Sequence, residues 1–67
     1  MQKYNKRSSD LLFTSINGYD IVDTDGGLAV VKDNMIHKFF AFETDSTGEV
    51  NNYHEIAVQA EEWASGN

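Results

Sequence analysis

Residues 11–43, LLFTSINGYDIVDTDGGLAVVKDNMIHKFFAFE, decide the fold. Asn17-Gly18, Thr24-Asp25-Gly26-Gly27 and Asp33-Asn34 divide this stretch into four short apolar segments, 11–16, 19–23, 28–32 and 35–43. β-Branched and aromatic residues dominate the segments, which suits pleated, half-buried strands. Asn-Gly and Asp-Gly accept positive φ at both central positions of a tight turn, and such turns match the twist of a hairpin. The expectation is a four-stranded antiparallel β-meander over about 11–43. Residues 9–16 admit a second reading: Ser9 can cap a short helix that ends at Asn17-Gly18, since glycine also stops helices.

Beyond Asp45-Ser46-Thr47-Gly48, which reads as a turn, the period changes. Tyr53, Ile56, Ala57, Ala60, Trp63 and Ala64 fall within an arc of about 120° on a helical wheel. His54, Glu55, Glu61 and Glu62 lie opposite, with Val58 the apolar residue among them. The expected helix spans about 52–64, capped by Asn52 with Glu55 three residues later and stopped by Gly66. The fold class is therefore α+β, a meander with one C-terminal amphipathic helix on one face. Residues 1–8, MQKYNKRS, form a polar, basic arm expected to be flexible, with Tyr4 able to fold back, and 9–67 form a single domain.

Tight hairpins pair Ile16 with Tyr19, Asp23 with Leu28 and Lys32 with Met35, and alternation then sorts the side chains. One face holds Leu11, Phe13, Val22, Ala29, Val31, Ile36, Phe40 and Phe42. The other holds Leu12, Ile16, Tyr19, Ile21, Leu28, Val30, Met35 and Phe39, with Asp23, Lys32, His37 and Glu43 among them. One helix covers only one face. The first carries fewer charges, Asp20 and Lys38, so it is expected beneath Trp63. The second is then left over, and Tyr19, Ile21, Val30 and Phe39 become the expected partner or dimer contacts. A slipped register would scramble this assignment.

Composition narrows the function. A chain of 67 residues buries only about 60% of its unfolded surface and usually needs a disulfide, a metal or a partner. It has no cysteine, which removes disulfides and thiolate metal sites. No apolar run approaches the ~18 residues of a membrane span, and residues 1–10 lack the apolar core of a signal peptide, so the expected location is cytoplasmic. The net charge is −6 and uneven: from Ser8 onward two lysines face 11 acids, 2 − 11 = −9. Such a body repels phosphate backbones and attracts basic surfaces. Lys3, Lys6 and Arg7 are too few to reverse this, so no direct nucleic-acid binding is expected.

The chemical motifs fail on inspection. An EF-hand alignment with Gly26 as its glycine puts Ile21 and Lys32 at ligand positions, so the aspartates read as turn-capping residues instead. Gly26-Gly27 lacks the Lys-Ser/Thr of a phosphate loop. His37 and His54 have no further ligands at metal spacing. Ser8, Ser9 and Ser15 have no base nearby in sequence. No catalytic residue, metal or cofactor is expected.

What remains is binding. In size and charge the chain is similar to small accessory proteins of phages and mobile elements, which block host enzymes or defence nucleases, sometimes by placing carboxylates where DNA phosphates would lie. No motif carries that similarity. It implies an inhibitor of a host nucleic-acid-binding enzyme or defence complex, with Asp20, Asp23, Asp25, Glu55, Glu61 and Glu62 facing a partner protein's basic groove. The alternative is a homo-oligomerising assembly domain, a homodimer in the simplest case.

Overall fold

The structure, a computed structural model, describes residues 2–67. Strands β1 (Gln2–Lys3), β2 (Leu11–Ile16), β3 (Tyr19–Asp23), β4 (Gly27–Lys32) and β5 (Met35–Ala41) precede helix α1 (Tyr53–Gly66). The fold is α+β: a five-stranded antiparallel sheet of order β1-β5-β4-β3-β2 with the helix packed on one face. Residues 11–16 are strand, not helix. The fifth strand, β1, comes from the segment expected to be a loose arm; Met1 lies outside the described residues.

The turns act as their sequences require. Asn17 and Gly18 take φ of 55° and 82°, and Asp33 and Asn34 take 54° and 63°, both central positions positive as in primed hairpin turns. The pairs Ile16 with Tyr19, Asp23 with Leu28 and Lys32 with Met35 form as expected. The turn between β3 and β4 is closed by the Thr24 hydroxyl rather than by an aspartate: it donates to the Gly27 carbonyl at 2.8 Å and accepts from the Gly27 N–H at 3.2 Å. Gly27 tolerates no side chain, because a Cβ there would lie 2.2 Å from the Phe40 carbonyl oxygen.

Two bulges overturn the face assignment. The β2–β3 register shifts around Phe13, and the β4–β5 register shifts around His37. Each inserts one unpaired residue, so every side chain beyond it changes face. Leu12 now pairs with Val22, Phe39 with Ala29, and Phe40 with Leu28. The helix covers the face expected to be left over. Ile21, Leu28 and Val30 are fully buried beneath Ile56, Ala57, Ala60 and Ala64, with Tyr19, Trp63, Tyr53, Phe40 and Phe42 around them. Each of the three is worth about 1.5–3 kcal/mol in burial.

The charges that argued against this face are accommodated at its rim. Asp23 accepts the Tyr53 hydroxyl at 2.7 Å. The Lys32 ammonium lies 4.9 Å from the Tyr19 ring centroid, and His37 meets the same ring edge-on.

The helix arc holds, but its cap differs. Asn52 makes no cap bond with its side chain. Its Oδ1 instead accepts from the Glu43 N–H at 2.8 Å, and its Nδ2 donates to the Ala41 carbonyl, so Asn52 fastens the helix start to the end of β5. At the other end, Asn17 donates from its side chain to the Ala64 carbonyl, joining the β2–β3 turn to the helix C-terminus. The helix runs through Gly66 and ends at Asn67.

Candidate partner-binding surfaces

The opposite face has its own cover. After β1 pairs with β5, the Tyr4 N–H donates to the Asn34 carbonyl at 2.7 Å, and the Tyr4 ring packs on Val22, Ala29, Val31 and Ile36. Residues 4–10 form a strap from the β1 edge of the sheet to the β2 edge. Asp10 is its buckle. It is 5% exposed, and its Oδ2 accepts the Tyr4 hydroxyl at 2.9 Å and the Arg7 N–H at 3.1 Å. Its Oδ1 is buried without a hydrogen-bond partner. Burial, followed by the hydrogen bond to Asp10, pushes the Tyr4 phenol up to about 12. Burial and Asp23 do the same to Tyr53, also to about 12. Two open clefts of about 400 and 420 Å³ border Tyr4, one reaching Asp10, Gly26 and Phe39, the other Asp20 and Val31. Nothing in the local sequence marks Asp10 as the buckle, although a tyrosine in an otherwise polar arm does suggest docking.

Of the four apolar contacts expected for a partner or dimer, Tyr19, Ile21 and Val30 lie in the core beneath the helix. Phe39 is on the strapped face, 46% exposed. The six acidic candidates do not converge. Asp20 lies on the strapped face, where it accepts the Ser15 hydroxyl at 2.6 Å, and Asp23 is held by Tyr53. Asp25 sits in the β3–β4 turn, with Ser9 Oγ at 3.5 Å. Glu55, Glu61 and Glu62 share the helix layer.

That layer has a uniform sign. From Phe39 to Asn67 there are six acids, Glu43, Asp45, Glu49, Glu55, Glu61 and Glu62, and no lysine or arginine. All but Glu61 are exposed, and Val58, 43% exposed, lies on the outward side of the helix. Asp45 organises the loop before the helix by accepting from the Thr47 hydroxyl and N–H and the Glu49 N–H. Those bonds, led by the Thr47 hydroxyl, hold its carboxyl below the ordinary value. Glu61 and Glu62 stand in the C-terminal half of a helix with no base in its last turn, where the helix dipole would favour cations.

The sheet also has two unlike edges. β1 is two residues long and carries Lys3. β2 is six residues long and uncharged, with Leu11, Leu12 and Phe13 exposed at 68%, 64% and 39%. Among the described residues, no group of three or more His, Cys, Asp or Glu side chains could hold a metal ion, and no helix is long and apolar enough to cross a membrane. No protein-family model, curated protein or solved structure matches this chain.

Proposed function

We propose that this protein binds a basic surface on another protein through its helix layer, and acts as an inhibitor by occupying a surface that would otherwise take nucleic-acid phosphates. One observation carries the reading: residues 39–67 hold six carboxylates and no lysine or arginine. Carboxylates spread along an exposed helix and its leading loop offer a basic groove many weak, salt-sensitive contacts and speed encounter. Val58 adds a small apolar contact among them. Asp45 and Glu55 also serve the fold, at the loop and in the first helical turn, but Glu61 and Glu62 oppose the helix dipole, so stability does not account for the placement of those two.

The test has two steps. The protein is used to capture partners from a host extract at low salt, and a captured protein is then purified and titrated directly. The Glu55→Gln, Glu61→Gln, Glu62→Gln triple variant is expected to bind it at least about tenfold more weakly, with a flatter salt dependence. Equal affinity for the triple variant and the parent would overturn the reading. A self-associating domain is the second reading, and the uncharged β2 edge favours it.

A further inference from the structure

We infer that Asn17 is a self-modifying site: attack by the Gly18 backbone nitrogen turns its side-chain amide into a carboxylate, and the product releases the C-terminal end of α1 from the β2–β3 turn.

The chemistry needs an asparagine whose following backbone nitrogen is unhindered. Of the chain's asparagines, Asn17 alone precedes a glycine, and both residues of that turn are exposed. Glycine has no Cβ to screen its nitrogen, and its backbone reaches conformations closed to other residues. The Gly18 nitrogen gives its proton to water and bonds to the side-chain carbonyl carbon of Asn17. The bond from that carbon to Nδ2 breaks, and the nitrogen takes a proton from water and leaves as ammonia. One water molecule then opens the five-membered imide at either of its carbonyls. One product is an aspartate; in the other the main chain runs through the side chain and is one carbon longer. The net change is amide plus water to acid plus ammonia, with no enzyme, metal or redox partner.

The fold sets the rate. Asn17 Nδ2 donates to the Ala64 carbonyl at 3.2 Å, which also accepts from the Asn67 N–H at 3.4 Å. That carbonyl is among the last four of α1, which have no donor within the helix. While the Asn17 bond stands, the side chain cannot turn to close a ring on the Gly18 nitrogen. Fraying of the last helical turn frees it. The modification advances only as often as the helix end opens.

The fold also makes the step consequential. A carboxylate has no hydrogen to give Ala64, so oxygen is set against oxygen at the negative end of the helix dipole. The last turn of α1 holds no base to offset the charge. The base beside the turn is Lys32, whose Nζ would lie 3.8 Å from a Cβ on Gly18; it competes for the new carboxylate, and Ala64 cannot. In the longer product, an extra backbone carbon in a two-residue turn also disturbs the Ile16–Tyr19 pair that the turn closes.

The test is incubation of the full chain in mildly alkaline buffer, followed by tryptic digestion and mass spectrometry, with circular dichroism to confirm that each variant is folded. Tryptic peptide 8–32 holds Asn17 as its one side-chain amide, so conversion of amide to acid within it reports this site. Conversion is expected to be at least about tenfold faster in denaturant than in the folded protein. Asn67→Ala removes a side-chain bond of 2.6 Å to the Trp63 carbonyl, and should speed conversion of the folded protein roughly threefold. Gly18→Asn keeps the left-handed turn, as Asn34 does at the matching position with φ 63°, and should leave the Asn17 amide intact over the same time. Aged protein and Asn17→Asp should both exchange the amides of the last helical turn roughly tenfold faster than fresh protein. Peptide 8–32 unconverted in denaturant, or converted as fast in Gly18→Asn, overturns the site. Equal rates in the folded protein and in denaturant, or an Asn67→Ala variant no faster than the parent, overturn control by the helix end. Unchanged exchange in aged protein and in Asn17→Asp overturns the release.

Discussion

The two faces of the sheet are covered by different means. The helix face is sealed by a continuous amphipathic element whose small residues, Ala57, Ala60 and Ala64, let the backbone approach Ile21, Leu28 and Val30 closely. The strapped face is covered by a single ring, Tyr4, held by one hydroxyl and a buried carboxylate. A helix covers by area, a strap by a few anchored contacts, so the first face tolerates no opening while the second can open at one residue.

Val30 and Val31 give the sharpest test. They are neighbours on β4 pointing to opposite faces, one fully buried and one nearly so. Val30→Ala is expected to cost about 2–3 kcal/mol, and Val31→Ala about half that, because the strap can settle into the space. Denaturant titration of both variants measures the difference; equal losses would break the distinction between the faces.

The next effect separates the two phenols. Tyr4→Phe and Tyr53→Phe each remove one hydrogen bond to a carboxylate, worth about 1 kcal/mol. Tyr4→Phe should cost more, since Asp10 is more deeply buried than Asp23. Both phenols are raised from 10.0 to about 12 in the folded state. Their contribution is thus complete below pH about 10 and lost as pH rises towards 12, where the folded protein resists ionisation and the unfolded chain does not. Melting temperature is expected to fall over that window in the wild type, and less steeply in either phenylalanine variant. An unchanged slope in both would show that neither phenol is linked to folding.

The smallest effect lies outside both faces. Asp45→Ala frees the loop before the helix and should lower stability by under about 1 kcal/mol, leaving both sheet faces intact. Faster amide exchange at Thr47 and Glu49, with none at Val30 or Val31, is the expected signature.

The turns and the helix were legible because their signals are local. Asn17-Gly18 and Asp33-Asn34 state their own φ values, and Tyr53 to Ala64 state their own arc. The choice of covered face was not legible. It depends on parity carried across the whole sheet, and a bulge at Phe13 or His37 has no composition of its own. Counting charges misled for a related reason: Asp23 and Lys32 are compatible with the helix face because Tyr53 and Tyr19 receive them, and those meetings are tertiary. The acidic helix face was readable in Glu55, Glu61 and Glu62. The buckle at Asp10 was not, since its partners Tyr4 and Arg7 form no motif.

The strap also orders events during synthesis. Residues 2–10 leave the ribosome before anything they dock on, yet Gln2 pairs with Ile36 and Lys3 with Met35. The nascent chain must carry Tyr4 unplaced until β5 has emerged, and must then wait for Ala64 before the other face closes. A ribosome stalled between these points holds a sheet finished on one side and bare on the other, so chaperone engagement should be greatest in that interval.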